Sequence, residues 1–215
     1  LKNPRNPNND YLTAFSELNL SVQLINVNKA NITDFNKYKL IFIGNERFSN
    51  PDQIPVDKFN TLIANTYHVN EWGLTDDDIS QIASNSPLQV QRLNEILTVY
   101  NKCCTSNSIG IPYYYLSSLN KNTGMIDLAS TVADKNDDVI GFINKSNELS
   151  NGKISQGRIV FYGITETRYW TSEAKRLFKI GASLLSHVPA DNDNDGYTGE
   201  NDCKDNDTNI NHGYT

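Results

Sequence analysis

The sequence predicts an α/β fold built on a doubly wound, mostly parallel sheet, and two patterns carry that prediction. Near-continuous apolar runs occur at residues 39–44 (KLIFIG) and 157–163 (GRIVFYG). Such runs are typical of strands that are buried on both faces, as in a parallel sheet. Helical patterns alternate with the predicted strands, and that order favours crossover connections between parallel neighbours. No apolar run approaches the roughly 20 residues that a membrane span needs.

The first third of the chain shows the alternation. Residues 11–18 place apolar side chains at helical spacing, and Asp10 is positioned to cap the first turn. Residues 21–27 (SVQLINV) alternate and are rich in β-branched residues, which predicts a strand. After the strand at 39–44, residues 56–64 carry apolar side chains on one helical face and predict a second helix.

The middle of the chain is less regular. We expect a strand over residues 67–74 and a helix over 88–100, which follows the start signal Ser86-Pro87. The end of that helix, residues 96–100 (ILTVY), would serve equally well as a strand. Further strands are predicted at 111–116, 125–129 and 139–143.

The last unit of the body has the clearest pattern. The strand at 157–163 is followed by a long amphipathic helix over residues 171–187, and Pro189 ends it. The composition then changes abruptly, which predicts a body domain over residues 1–189 and a separate segment over 190–215.

A first strand is missing from this pattern. A doubly wound sheet normally begins with a strand that leads into the first helix, whereas residues 1–10 (LKNPRNPNND) contain two prolines and four Asn and predict a loop. We therefore expect a sheet that is incomplete at its amino-terminal edge, or that is completed by a strand lying before residue 1 or supplied by another chain. Strand addition would make the protein an assembly subunit, because it joins chains through main-chain hydrogen bonds. The alternative is a fold that has no such strand.

The charge distribution divides the chain in the same place. The net charge is −6, from 25 acidic and 19 basic residues. Seven of the acids and a single base, Lys204, lie in residues 191–215, so residues 1–190 carry 18 of each and are neutral. A neutral body gives no electrostatic reason to bind nucleic acid.

The acidic segment contains the most specific pattern in the chain, DNDNDGYTGEND at residues 191–202. Calcium takes six to eight oxygen ligands, and a tight loop supplies them from acids at positions 1, 3, 5 and 12 and a carbonyl at position 7, with glycine at position 6. The predicted calcium ligands are Asp191, Asp193, Asp195, the carbonyl of Tyr197, and Asp202, with Asp205 and Asp207 predicted for a second ion that shares Asp202. The alternative is a solvated acidic tail.

This segment resembles the Asp-rich repeats of the thrombospondin type 3 and MopE-type metal-binding families over the residues DNDNDGYTGENDCKDNDTNINHG. It departs from their pattern at Lys204, where Asp is common, and at His212, where Pro is usual. The resemblance implies a calcium-dependent structural role in an extracellular or cell-surface protein.

The body more loosely resembles the class I glutamine-amidotransferase-like and ThuA-like families, which have a flavodoxin-like sheet. The similar stretches are residues 39–46 (KLIFIGNE), 139–143 (VIGFI) and 157–186. That class needs a nucleophile on a strand-to-helix elbow, with a histidine and an acid. Neither Cys103 nor Cys104 has such an elbow around it, so we predict no catalytic residues, and no glycine-rich motif predicts a cofactor.

A ligand pocket in such a sheet would lie at the carboxyl ends of the strands. The residues expected to line it are Asn45, Glu46 and Arg47 after one strand and Thr165, Glu166 and Arg168 after another. Tyr113, Tyr114, Tyr115 and Trp170 would offer rings for stacking on a carbohydrate, although packing is the simpler role for them.

Two functional hypotheses result. The first is a non-catalytic extracellular or cell-surface module for structure or adhesion, stiffened by calcium and in contact with other protein chains or domains, as in an assembly or filament. The second is a hydrolase-like or carbohydrate-binding domain whose site uses the strand-end residues. A concave pocket that holds Glu46 and Glu166 together would favour the second.

Overall fold

A computed structural model describes residues 9–77, 80–82, 88–90, 95–97, 113–167 and 170–186 of the chain. The helices and strands in chain order are α1 (Asn9–Glu17), β1 (Ile41–Ile43), β2 (Thr61–Ile63), β3 (Ser80–Ile82), β4 (Leu88–Val90), β5 (Glu95–Leu97), β6 (Tyr113–Tyr115), β7 (Met125–Thr131), β8 (Asp138–Ile143), β9 (Ile159–Tyr162) and α2 (Ser172–Ser186). Short 3-10 helices cover Val27–Ile32, Phe35–Lys37 and Pro51–Gln53.

The main sheet has seven strands in the order β1-β2-β9-β8-β7-β4-β5. The first three strands are parallel to one another, whereas every pairing from β9 to β5 is antiparallel. Strands β3 and β6 form a separate antiparallel pair. The predicted α/β class is confirmed, but the expectation of a mostly parallel, doubly wound sheet is wrong, since the described sheet is mostly antiparallel.

The helix predicted over residues 56–64 is also wrong, because these residues are a turn followed by β2. Leu62 packs into the core on one face of the sheet and Ile63 into the core on the other, and both side chains are fully buried. Apolar residues that would share a helical face therefore fill both faces of a strand. The crossover from β1 to β2 contains only a 3-10 helix and turns, and it includes Pro51 and Pro55.

Both described α-helices cover the same face of the sheet. Phe178 of α2 lies at the centre of a cluster of rings, with centroids 5.1 Å from Tyr11, 5.3 Å from Phe15 and 5.3 Å from Tyr162. Glu17 at the end of α1 forms ion pairs with Lys175 and Lys179 of α2. The contacts of Phe178 with Phe15 and Tyr162 are edge-to-face, and such contacts add stability beyond the area that they bury.

The opposite face is covered by loops and 3-10 helices. Strand β9 shows how completely both faces are filled, because Ile159 and Phe161 pack on this face while Val160 and Tyr162 pack under the helices. All four side chains are fully buried. The run at residues 157–163 was therefore interpreted correctly as a strand buried on both sides.

Three further element predictions differ from the structure. Residues 21–26 form no regular secondary structure where a strand was expected, and residues 67–74 form turns. Residues 88–90 and 95–97 are the paired strands β4 and β5, so the helix predicted over 88–100 is wrong and the strand interpretation of its end is closer. The predicted strand at 111–116 is observed as β6, and the predicted boundary at residues 189 and 190 lies outside the described residues.

No helix in the described part of the chain combines the length and the apolar character that crossing a bilayer requires.

Candidate functional site

The predicted calcium ligands Asp191, Asp193, Asp195, Tyr197, Asp202, Asp205 and Asp207 lie outside the described residues. Within the ranges that the structure does describe, no group of three or more His, Cys, Asp or Glu side chains is placed to hold a metal ion. Cys103, Cys104, His187 and Arg168 also fall outside these ranges.

The carboxyl ends of the three parallel strands carry a network of neutral polar side chains centred on Asn45, which follows β1. The Asn45 side-chain oxygen accepts hydrogen bonds from the Thr66 backbone N–H at 3.0 Å and from the Thr66 hydroxyl at 2.9 Å. Its Nδ2 donates to the Thr165 hydroxyl oxygen at 3.3 Å. One amide therefore joins the ends of β1, β2 and β9, as the predicted convergence of strand ends requires.

Asn65, two residues after the end of β2, fixes the loop that follows β1. Its side chain is fully buried, and Nδ2 donates to the carbonyls of Gly44 at 2.8 Å and Glu46 at 2.7 Å. Its oxygen accepts from the Tyr67 backbone N–H at 2.9 Å. Because buried amides are costly unless they are hydrogen-bonded, these contacts give Asn65 a structural role.

His68 lies beside an acid, as catalytic histidines often do, but its ring accepts a hydrogen bond from a backbone N–H. Its Nε2 accepts a hydrogen bond from the Phe48 N–H at 2.8 Å, and its Nδ1 lies 3.4 Å from a carboxylate oxygen of Glu71. In the neutral ring the proton is therefore on Nδ1. A base whose lone pair already accepts from the backbone is poorly placed to take a proton from a substrate.

The accessible part of the strand ends carries aromatic and charged side chains. The Arg47 guanidinium lies 4.9 Å from the ring centroid of Tyr67, which is 43% exposed. Burial raises the pKa of Tyr114, and the nearby Tyr67 and Glu166 raise it further. Neither of the two cavities described in this structure is lined by Glu46 or Glu166.

The start of α1 also lies at this end of the sheet. The Tyr11 hydroxyl donates to the Thr165 carbonyl at 3.3 Å, and the Thr167 hydroxyl donates to the Asp10 carboxylate at 2.7 Å. Asp10 therefore ties α1 to the loop after β9, in addition to lying in the first turn of the helix. Trp170 donates from Nε1 to the Ile164 carbonyl at 2.8 Å and packs in the core under α2, which is the packing role expected of it.

A second group of polar residues, which the sequence analysis missed, lies in the antiparallel half. Asp138 at the start of β8 is fully buried, and its Oδ1 lies 2.7 Å from the Lys121 ammonium. Its Oδ2 and the Oδ1 of Asp127 on β7 have no hydrogen-bond partner among the described residues when both groups are carboxylates. Gly141 on β8 lies beside this group, and a Cβ there would lie 2.3 Å from Met125 Sδ and 3.3 Å from Asp138 Oδ2.

Burial raises the pKa of Asp138 to about 7, even though the hydrogen bond from Lys121 acts in the opposite direction. Burial also raises the pKa of Asp127. For Asp138 the charge balance acts in the same direction, because the carboxylate of Asp127 adds a second negative charge beside the single ammonium group of Lys121. A proton on one of the two acids turns it into a donor to the other, and the pair then titrates as a unit.

Comparison of the chain with protein-family models, with curated proteins and with solved structures finds no match. The resemblance of the acidic segment to calcium-binding repeats therefore stays a prediction from the sequence, and so does the looser resemblance of the body. The structure brings the predicted strand-end residues Asn45 and Thr165 into contact, and it adds Asn65, Thr66 and Asp138 to the residues that define the two polar regions.

Proposed function

We propose that this chain is a non-catalytic structural or adhesion module of an extracellular or cell-surface protein, with an acidic terminal segment that is stabilised by calcium. The observation that carries the proposal is the spacing of acids at positions 1, 3, 5 and 12 of a loop with glycine at position 6, in residues 191–202. Asp191, Asp193, Asp195 and Asp202, with the carbonyl of Tyr197, would supply oxygen ligands to a first ion. Asp205 and Asp207 would complete a second.

The energetics of the acidic segment support a role for the metal. Residues 191–215 carry seven acids against Lys204, and Tyr197, Ile210 and Tyr214 are the large apolar side chains available for burial. Full burial of a large side chain contributes about 1.5–3 kcal/mol, whereas ordering the backbone costs about 1–2 kcal/mol per residue. Apolar burial alone therefore does not offset the cost, and calcium binding would provide the missing free energy.

The body fits a supporting role. Residues 1–190 have no net charge, and the described part of the sheet is covered by an apolar core on each face. Such a domain has its own source of stability and does not need the ion. We therefore expect the body to stay folded when calcium is removed.

The alternative is a carbohydrate-binding or hydrolase-like domain with its site at the carboxyl ends of the parallel strands. The stacked pair of Arg47 and half-exposed Tyr67 is the feature that favours it. Against it, Asn45, Asn65 and Thr66 already bond one another or the backbone, and His68 accepts from a backbone N–H. These polar groups have a structural explanation without a ligand.

The test is calcium titration calorimetry on the full chain, combined with hydrogen exchange in calcium and in excess chelator. We expect calcium binding, exchange protection of residues 191–215 in calcium alone, and unchanged protection of β8 and β9. Asp195→Asn should weaken binding by about tenfold or more, which corresponds to about 1.4 kcal/mol. Glu200→Gln is the matched control, since it removes one negative charge from the same segment at a position that is not a predicted ligand.

No binding at millimolar calcium, or equal protection of residues 191–215 in both buffers, would show that the segment is a solvated acidic tail. Equal losses in Asp195→Asn and Glu200→Gln would show that calcium is attracted by net charge and is not held in the predicted loop.

A further inference from the structure

A cavity of about 340 Å³ lies beside β1 at the edge of the sheet. We call it the edge slot, and its lining includes residues of β1, of α1 and of the segment 20–25. Strand β1 is the last strand of the described sheet on this side, so no described strand fills the slot.

Residues 20–25, which line the slot together with β1, have the alternating sequence of a strand but are not part of any described strand. Leu20 packs against the core under the helices and Ile25 packs against the core on the other face, so side chains of this segment reach both faces, as alternate residues of a strand do. Val22 and Leu24 between them are 43% and 42% exposed. Residues 21–25 make no backbone hydrogen bond to the backbone of any other described residue.

The slot offers apolar surface above and below the plane of the sheet. Tyr11 and Phe15 of α1 line it on the helix side, and Phe35 and Tyr38 line it on the other side. A strand between these walls would bury alternate side chains against the two surfaces. It would therefore be apolar on both faces, like β9, and rich in Val, Ile and Leu.

The position of α1 indicates the direction of that strand. Tyr11 and Asp10 bond to the Thr165 carbonyl and the Thr167 hydroxyl, just after β9, so α1 begins at the carboxyl end of the parallel strands. A strand that leads into α1 would end there and would run parallel to β1. The path from this strand through α1 to residues 20–25 is an ordinary crossover unit, which connects neighbouring parallel strands.

We propose that the edge slot holds a β-strand of the same polypeptide that enters α1 through residues 1–8, runs parallel to β1 and is apolar on both faces. Residues 1–8 themselves suit the connecting loop, because Pro4 and Pro7 have no N–H to donate to either neighbour. The strand would pair with β1 on one side and with residues 21–25 on the other. The proposal does not depend on calcium binding.

The test uses the full chain with a probe strand, KVIVLVN, fused directly before Leu1. We expect the melting temperature to rise by about 5 °C or more, since each kcal/mol of stability shifts the midpoint of a domain of this size by about 2–4 °C. Hydrogen exchange of residues 20–25 and 41–43 should slow by about tenfold or more. The same fusion with KVPVPVN is the matched control, because its prolines remove N–H donors that strand pairing needs.

A pair of variants then locates the site of the effect. Leu24→Asp places a charge in the wall of the slot and should abolish the gain from KVIVLVN, while the unfused chain still folds. Ile32→Asp changes an exposed apolar residue outside the slot, 77% exposed, and should leave the gain intact.

Three outcomes would overturn the proposal. If KVIVLVN and KVPVPVN fusions behave alike, the slot does not accept a strand. If free KVIVLVN peptide at equal concentration protects the unfused chain as well as the fusion does, the natural strand has no need to come from the same polypeptide. If protection appears only with dimerisation in light scattering, a second copy fills the slot.

Discussion

The parallel and antiparallel halves of the sheet differ in the kind of polar side chain that they contain. At the ends of β1, β2 and β9, the side chains that join the strands are amides and hydroxyls, and Asn45 and Asn65 have several hydrogen-bond partners each. In the antiparallel half, the buried groups are the acids Asp127 and Asp138, and Lys121 is the cation beside them.

The two regions differ in whether they must take up a proton from the solvent. A network of amides and hydroxyls keeps its donors and acceptors at any ordinary pH. Two acids beside one ammonium group need a proton, because a buried carboxylate without a partner is costly. The sensitivity of this fold to pH should therefore arise in the antiparallel half.

The largest expected effect is that of Asp138→Asn on the pH dependence of stability. The pKa of Asp138 is about 7 in the folded protein and 3.8 is its ordinary value, so its contribution to stability is full below pH 4 and is lost as the pH rises through 7. Asparagine resembles the protonated acid and keeps an oxygen for Lys121. Urea unfolding from pH 4 to 7.5 should show the variant gaining a few kcal/mol on the wild type, since one pKa unit corresponds to about 1.4 kcal/mol.

Asp52→Asn is the control for this series, because Asp52 is an exposed acid in a 3-10 helix. Its unfolding free energy should follow that of the wild type at every pH. A constant difference between Asp138→Asn and the wild type over the whole range would mean that both acids are ionised in the folded protein.

The second effect concerns the seam between the two halves, at Gly163. Strand β9 pairs with β2 on one side and β8 on the other, and Gly163 follows it with its N–H bonded to the Val139 carbonyl at 2.8 Å. An added Cβ would lie 2.0 Å from the backbone oxygen of Tyr114. Because backbone cannot move aside as a side chain can, Gly163→Ala should lower the free energy of unfolding by about 1–3 kcal/mol.

Gly44→Ala is the matched control at the end of β1, where an added Cβ comes no closer than 3.9 Å to the Phe42 ring. Chemical denaturation at a single pH compares the two. Equal losses would show that the close approach of Gly163 to the Tyr114 backbone does not determine the cost of the added Cβ.

Some of this fold could be predicted because strong apolar patterns identify their elements locally. The run at 157–163 and the helical spacing at 171–187 are long and regular, and both elements are observed as β9 and α2. The helix prediction for residues 56–64 was wrong because Leu62 and Ile63 suit either one helical face or the two faces of a strand. Strand direction depends on which distant segments pair, and local patterns contain no information about that.

The polar regions were predictable to a similar degree. Asn45 and Thr165 were expected at the strand ends and are in contact, whereas Asn65 and Thr66 were missed because the preceding residues were assigned to a helix. The pairing of Asp127 with Asp138 depends on the register of β7 and β8, which the sequence does not fix. An aspartate inside the strand pattern at 125–129 was a signal that could have identified one member of the pair.

The smallest expected effect tests whether the hydrogen-bond network around Asn45 contributes to the free energy of unfolding. Asn45→Ala removes the acceptor for Thr66 and the donor to Thr165, and leaving such groups without partners typically costs about 1–3 kcal/mol. Because Asn45 is only partly buried, water can replace part of the loss, and we expect a decrease of about 1 kcal/mol in the free energy of unfolding. Asn31→Ala, at an exposed position, is the control and should change it by less than about 0.5 kcal/mol.

The sign of the Asn45→Ala effect also separates the two functional hypotheses. In a structural module, the network at the ends of β1, β2 and β9 stabilises the loops, and removing Asn45 lowers stability. In a ligand site, polar groups are held in place at a cost in stability, so that their removal is often neutral or stabilising. A variant at least as stable as the wild type would therefore favour the carbohydrate-binding or hydrolase-like alternative, with Arg47 and Tyr67 as the first residues to examine for ligand contacts.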